Sequence, residues 1–180
     1  MTQIIQSLSD IADRYSAVFC DLWGCLHNGK EPYAAAVAAL RQFRAGGGIV
    51  LLLTNSPRPK SSVEGQLDRI GVPRDCWDAI VSSGDATQIG LAFGAIGPRV
   101  HHIGAVKDES FFTDYPAEIA EAMGRIQRVP LDQADGILCT GLADDTVETP
   151  ADYRARLLAA KTRGLTLLCA NPDLIVDLGE

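Results

Sequence analysis

Three polar side chains stand where the two most hydrophobic stretches of the chain end. The run SAVFC stops at Asp21, and the run GIVLLL stops at Thr54 and Asn55. A carboxylate beside a hydroxyl and a run of backbone amides can hold a metal ion and an anion. Neither glycine-rich phosphate fingerprint, GxxxxGK[ST] or GxGxxG, occurs at the end of such a run, so the pattern is of another kind.

The elements that position these side chains follow from the alternation of apolar runs with helix-like segments. Strands that are apolar on both faces and alternate with helices predict an α/β fold with parallel sheet. Ligands in such folds bind at the carboxyl ends of the strands. The same reasoning adds Asn171 and Asp173, which follow the last apolar run, LTLLCA.

Two helix starts have clear signals. Ser82, Ser83 and Asp85 favour an N-cap at the start of the next helix over contact with a substrate. The segment ETPADYRARLLAAKTRG has Thr149 as a cap, Pro150 at the first helical position and Gly164 after the end, which is typical of a well-delimited helix.

The composition excludes several classes of partner. The 180 residues carry a net charge of −7 and no basic run, so we expect neither nucleic acid nor an anionic membrane as a partner. No segment approaches the roughly 18 apolar residues of a membrane span, and the N-terminus lacks a signal-peptide pattern. We therefore expect a cytoplasmic protein whose five cysteines are reduced.

The motifs resemble those of a known superfamily. Asp21 in FCDLWGCLHNG and Thr54-Asn55 in LLLTNSPRP resemble motifs I and II of the haloacid dehalogenase (HAD) superfamily. VSSGDAT at 81–87 and CANPD at 169–173 are similar to subfamily IIA, the branch of NagD and the pyridoxal and p-nitrophenyl phosphatases. Within it, the first motif resembles a DLWGVLH-type clade, and the resemblance covers essentially the whole chain.

The resemblance implies a fold and a reaction. The fold would be a Rossmann-like core with parallel sheet, its N-terminal part at residues 1–82, and a C2-type α/β cap at residues 83–180. The reaction would be hydrolysis of a small phosphorylated metabolite, in which Asp21 forms an aspartyl-phosphate. Mg²⁺ would be held by the Asp21 carboxylate and the Trp23 backbone carbonyl. Thr54 and Asn55 would hold phosphoryl oxygens.

The resemblance also implies roles for residues outside the two main motifs. Asn171 and Asp173 would lie on the return from the cap, near the leaving group. Most phosphatases of the superfamily carry an acid at the position of Trp23, and a positioned general acid or base contributes about 10²–10⁴ in rate. His27 is either a substitute for this acid or an ordinary polar residue of the loop after the first strand.

The superfamily also has a GKP-like segment with a Lys and an acidic GDxxxTD loop, and neither pattern matches this chain. We therefore expect the C-terminal part of the core to be absent, Mg²⁺ binding to be weak, and turnover by these 180 residues to be slow or nil. The alternative is a catalytically impaired module of the same fold that binds a phospholigand or a protein. Without its usual neighbours, SAVFCD would be an apolar edge strand, so we also expect self-association.

Overall fold

The chain forms two compact units in the computed structural model, which describes residues 4–173. The first unit contains the described residues up to Thr54 and the segment Val63–Val81. The second unit contains the segment Asn55–Ser62 and residues 82–173. Each unit has its own sheet and its own buried apolar residues.

A three-stranded sheet organises the first unit, in the order β1-β2-β3. The strands are β1 (Ala17–Asp21), β2 (Ile49–Thr54) and β3 (Ala79–Ser82), and the intervening helices are α1 (Ala34–Ala45) and α2 (Lys60–Ile70). β1 and β2 run parallel, with Ala17 opposite Ile49 and Asp21 opposite Leu53.

The helices of the first unit cover one face of this sheet. Successive side chains of a strand point to opposite faces, and Val50 and Leu52 are fully buried with apolar residues of α1 and α2. On the other face Ile49 and Leu53 are about half exposed, and Phe19 is 71% exposed. The described residues therefore leave an apolar sheet face open, whereas parallel sheets are normally covered on both faces.

A four-stranded, fully parallel sheet organises the second unit, in the order β5-β4-β6-β7. Leu138 packs in a cluster with Val100 and Phe111, and its neighbour Ile137 packs in another with Ile103 and Tyr153. Both faces are thus buried, as a parallel sheet requires. The strands are β4 (Arg99–Ile103), β5 (Gln127–Arg128), β6 (Gly136–Cys139) and β7 (Thr166–Cys169), and the helices are α3 (Ser83–Ala92), α4 (Ser110–Thr113), α5 (Ala120–Met123) and α6 (Arg154–Thr162).

Short 3₁₀ helices complete the described chain, at Leu8–Asp10, Ala12–Arg14, Arg74–Cys76, Val106–Glu109, Ala117–Ile119, Leu131–Gln133 and Pro150–Tyr153. Across residues 4–173, every helix is too short or too polar to cross a membrane. The predicted fold class, α/β with parallel sheet, is confirmed.

The helix signals in the sequence have different outcomes. The helix start predicted among Ser82, Ser83 and Asp85 is confirmed, and the N-cap is Ser82, whose hydroxyl accepts a hydrogen bond from the Asp85 amide at 3.0 Å. In the segment after Thr149 the first turn is a 3₁₀ helix, and α6 begins only at Arg154. Asp152 there accepts the Thr149 amide hydrogen bond at 2.8 Å, so the cap was predicted correctly but the type of the first turn was not.

Leu52 and Leu53 test which face of β2 carries the stability of the first unit. We expect Leu52→Ala to lower the free energy of unfolding by about 2–5 kcal/mol, because it leaves a cavity in a closed core. Leu53→Ala removes the same atoms from a half-exposed site, and we expect a cost below about 1 kcal/mol. Urea unfolding followed by circular dichroism measures both; equal losses would contradict the assignment of the faces.

Candidate functional site

Asp21 is the last residue of β1, and its side chain is exposed. Its partner in the parallel ladder is Leu53, so Thr54 lies one residue further along, at the end of β2. Among residues 4–173, no group donates a hydrogen bond to the Asp21 carboxylate, and no cation pairs with it. The carboxylate therefore stands at the carboxyl end of a parallel sheet, where ligands bind in such folds, with its oxygens available.

The loop after β1 is a tight turn built on one carbonyl. The Leu22 oxygen accepts the backbone N–H groups of Cys25, Leu26 and His27 at 3.3, 2.8 and 3.1 Å. Gly24 has a φ of 74°, a conformation that glycine adopts without strain. Its N–H donates to the His27 carbonyl at 2.9 Å.

The backbone oxygen of Trp23 accepts none of the hydrogen bonds that form this turn. Within the described part of the chain, no backbone N–H donates to it. The Trp23 carbonyl and the Asp21 carboxylate are both hard oxygen donors, the kind that suits Mg²⁺, an ion that binds through one or two carboxylates and keeps several waters. In residues 4–173, no group of three or more His, Cys, Asp or Glu side chains could hold a metal ion.

The indole of Trp23 packs within its own loop. A Cβ atom on Gly29 would lie 2.4 Å from the ring, so only glycine permits this approach. The His27 ring meets the indole edge-on, with ring centroids 5.9 Å apart. The side chain at this position therefore packs the loop and has no carboxyl group to transfer a proton.

His27 is buried, with 3% of its surface exposed. Its Nδ1 accepts the Gly29 N–H at 3.0 Å, which places the proton of the neutral ring on Nε2. Burial lowers the pKa of His27, although the nearby Asp21 carboxylate opposes this shift. The structure accounts for His27 as a neutral residue that organises the loop; its role as a substitute acid stays a prediction.

Cys20 precedes Asp21 on the strand. Burial is the main cause that raises the pKa of its thiol to about 11, with smaller contributions from Cys25 and Asp21. At neutral pH the Cys20 sulfur is therefore protonated, and it is a poor nucleophile and a poor metal ligand.

The second unit brings together three of the residues singled out from the sequence. The Asn55 side-chain amide donates a hydrogen bond to the Asp173 carboxylate. The Asp173 backbone N–H donates in turn to the Asn171 side-chain oxygen at 3.0 Å. Asn55, Asp173 and Asn171 therefore form one continuous chain of hydrogen bonds, which the sequence did not predict.

A buried polar chain at the carboxyl end of the second sheet was also missed. The Thr140 hydroxyl donates to the Asp108 carboxylate at 2.7 Å, and His102 Nε2 lies 3.0 Å from the same hydroxyl. Asp108 and Thr140 are only 4% and 3% exposed. Because the hydroxyl proton goes to Asp108, His102 must be the donor in its own bond. The sequence signal was limited to His102, near the end of one apolar run, and Thr140, directly after another; Asp108 lies five residues beyond the end of β4.

Comparisons with known proteins agree with the motifs. The family model described as haloacid dehalogenase-like hydrolase matches residues 18–117. A solved hydrolase of the haloacid dehalogenase-like family from Brucella suis 1330 is 40% identical over 97% of this chain and 63% of its own, with a TM-score of 0.86. No match was found among curated proteins.

Two further solved structures are similar at lower identity. A glycerol phosphate phosphatase from Mycobacterium tuberculosis, in complex with magnesium, is 26% identical over 94% of this chain and 48% of its own, with a TM-score of 0.61. A 4-nitrophenylphosphatase from Thermotoga maritima, 18% identical over 91% of this chain and 57% of its own, shares the fold with a TM-score of 0.62. The chain thus spans 48% to 63% of the length of the three structures.

The partly buried His102 gives the second unit a pH-dependent stability. Burial is the largest cause that lowers the pKa of His102 in the folded chain, and Asp108 partly opposes it. The unfolded chain then binds more protons as the pH falls through the ordinary histidine value near 6.5. The contribution of His102 to stability is therefore complete above that pH and is lost below it.

We expect the free energy of unfolding to fall between pH 7.5 and pH 5, and the slope to be smaller in His102→Gln, which does not titrate. Urea unfolding at a series of pH values measures this slope. An NMR titration of the His102 ring checks the cause directly, and a folded-state pKa at or above 6.5 would contradict it.

Proposed function

Since this chain belongs to the haloacid dehalogenase-like hydrolase family, we propose that the full-length protein is a phosphatase that hydrolyses a small phosphorylated metabolite. The observation that carries the proposal is the Asp21 carboxylate, which ends β1 beside the end of β2 and has no hydrogen-bond or ionic partner in residues 4–173. The similar structure from Mycobacterium tuberculosis is that of a glycerol phosphate phosphatase, which supports a phosphate ester as the substrate class.

The chemistry assigned to the chain's own residues has two steps. An Asp21 oxygen attacks phosphorus and the alcohol leaves, which forms an aspartyl-phosphate; water then cleaves the phosphorus–oxygen bond to Asp21 and releases phosphate. The Thr54 hydroxyl donates a hydrogen bond to a phosphoryl oxygen, and the Asn55 amide donates a hydrogen bond to another. These donors act where negative charge spreads over the transferring group.

Mg²⁺ is the metal we propose, held by the Asp21 carboxylate and the Trp23 carbonyl oxygen. When bound, it would neutralise charge on the phosphoryl oxygens. The glycerol phosphate phosphatase similar to this chain has been solved with magnesium and with calcium, which supports a divalent cation. Because Trp23 has no carboxyl group, the leaving alcohol must obtain its proton from another group, and His27 stays a candidate.

We also propose the domain organisation, the location and the partners that the sequence predicts. We assign residues 1–82 to the N-terminal part of the hydrolase core and residues 83–180 to a C2-type cap. We also retain a cytoplasmic location, self-association, and the exclusion of nucleic acid and membranes as partners. The open apolar face that carries Phe19 and Leu53 supports self-association, since exposed apolar patches favour contact.

Asp21→Asn tests the nucleophile. We expect it to reduce hydrolysis of p-nitrophenyl phosphate by the full-length protein on the order of 10³-fold or more, because an amide cannot form the phosphoenzyme. Asp13→Asn is the matched control, since Asp13 is an exposed acid of the same unit, and it should keep wild-type activity.

Release of phosphate from a panel of phosphorylated metabolites gives the same comparison for natural esters. Undiminished activity in Asp21→Asn would refute the nucleophile. Binding of phosphate esters without hydrolysis by the wild type would instead favour the impaired binding module.

A substitution of Trp23 tests whether Mg²⁺ binds through the backbone carbonyl of this residue or depends on its side chain. We expect Trp23→Phe to change the Mg²⁺ affinity by no more than about twofold, because the carbonyl oxygen is retained. Asp21→Asn should weaken it about 10- to 100-fold, the usual cost of disturbing a metal site. Isothermal titration with Mg²⁺ measures both; a large loss in Trp23→Phe alone would contradict the backbone ligand.

A further inference from the structure

We propose that Asp173 is a positioning residue that fixes the side-chain amide of Asn55, so that one amide N–H is held and the other is left to bind a phosphoryl oxygen. The inference rests on the proposed function for the identity of the anion. The contact itself does not depend on the proposed function, because the Asn55 amide nitrogen donates a hydrogen bond to an Asp173 carboxylate oxygen in the structure.

The carboxylate resolves an ambiguity that every asparagine has. The oxygen and the nitrogen of the amide have nearly the same shape, so an unassisted side chain can present either one to a ligand. An ionised carboxylate only accepts hydrogen bonds, and its bond to an N–H donor is stronger than a neutral one. Asp173 therefore selects the nitrogen, which carries a second N–H, and a phosphoryl oxygen needs such a donor.

Asp173 is itself held by the end of the last strand. The Ala170 N–H donates to the Cys139 carbonyl at 2.8 Å, which extends the ladder between β6 and β7 by one residue. The Asn171 side-chain oxygen then accepts the Asp173 N–H at 3.0 Å, a turn that asparagine commonly forms. Pro172, between them, fixes one backbone dihedral angle, so little freedom remains at Asp173.

The backbone next to Asn55 is also fixed within the second unit. The Gly84 N–H, near the start of α3, donates to the Ser56 carbonyl at 3.0 Å. A Cβ atom on Gly84 would lie 2.4 Å from the backbone of Arg58, so only glycine allows this approach. Both partners thus lie on constrained backbone, which reduces the entropy lost when the hydrogen bond forms.

A different role for Asp173, contact with the leaving group, makes different predictions. Direct contact would affect esters according to the alcohol that they release. A role through Asn55 would affect all phosphate esters alike, and the effect would disappear once Asn55 is removed. Non-additivity in a double-mutant cycle separates the two roles.

The contact is tested first by NMR of the ¹⁵N-labelled chain. The side-chain amide pair of Asn55 is assigned by its loss in Asn55→Ala. We expect Asp173→Ala to move this pair towards the shifts of exposed amides and to speed its solvent exchange about tenfold or more. Asp132→Ala removes an exposed acid elsewhere in the same unit and should leave the pair unchanged. An Asn55 pair that Asp173→Ala does not affect overturns the proposal.

The functional consequence is tested by kinetics of the full-length protein on p-nitrophenyl phosphate and on β-glycerophosphate, whose leaving groups differ. We expect Asp173→Ala to lower kcat/KM about tenfold for both esters, chiefly through kcat. The Asn55→Ala/Asp173→Ala double variant should equal Asn55→Ala alone. Asp173→Asn keeps an acceptor oxygen and should restore part of the activity at an unchanged Tm.

Two kinetic outcomes would overturn the proposal: losses that multiply in the double variant, or a loss confined to one ester. A wild type that hydrolyses neither ester defeats the proposed function instead. In that case the NMR comparison still decides whether Asp173 holds the Asn55 amide.

Discussion

In the first unit, the parallel ladder of β1 and β2 aligns Ala17 with Ile49 at one end and Asp21 with Leu53 at the other. Because side chains alternate between faces, a shift of this register by one residue would exchange every buried side chain for an exposed one. Val50 and Leu52 are completely buried in β2, and their burial therefore opposes such a shift. The same packing that stabilises the sheet thus holds Asp21 at the sheet's carboxyl end and on its open face.

In the loop that follows β1, the side chain and the backbone carbonyl of Trp23 have different surroundings. Three N–H groups are satisfied by the Leu22 carbonyl, and the Trp23 carbonyl has no backbone donor among the described residues. The indole packs against Gly29 and His27 instead, so the turn keeps its shape without an acid at this position. A metal ion that uses only the carbonyl oxygen does not distinguish tryptophan from aspartate here; proton transfer does.

The sequence predicted the local features and missed the long-range ones. Asp21 and Thr54 could be singled out as the ends of strands because a polar residue that ends an apolar run is visible in a short window, and a helix start could be predicted from Ser82, Ser83 and Asp85 because such residues favour N-caps. The contact of Asn55 with Asp173 joins residues 118 positions apart, and that of Asp108 with Thr140 spans 32. The contact of Asp108 with Thr140 depends on the strand order β5-β4-β6-β7, and that of Asn55 with Asp173 depends on where the chain leaves β7. No local sequence pattern encodes these features.

A carboxylate beside an amide that binds an anion also repels that anion. This repulsion limits the surroundings in which Asp173 could position the Asn55 amide for phosphate. A phosphate monoester carries a charge of about −1.5 to −2 near neutral pH, so a carboxylate about 6 Å away repels it by about 1–1.4 kcal/mol in water and by about 4–6 kcal/mol at an effective dielectric constant near 20. A hydrogen bond to a charged group contributes about 1.5–3 kcal/mol. The bond between Asn55 and Asp173 is exposed, so solvent would keep the repulsion of a bound phosphate near the lower range, below the contribution of the hydrogen bond. If the site were closed to water and held no cation, the repulsion would cancel the contribution of the hydrogen bond. A carboxylate at this position is therefore compatible with phosphate binding only where water or Mg²⁺ screens the two charges.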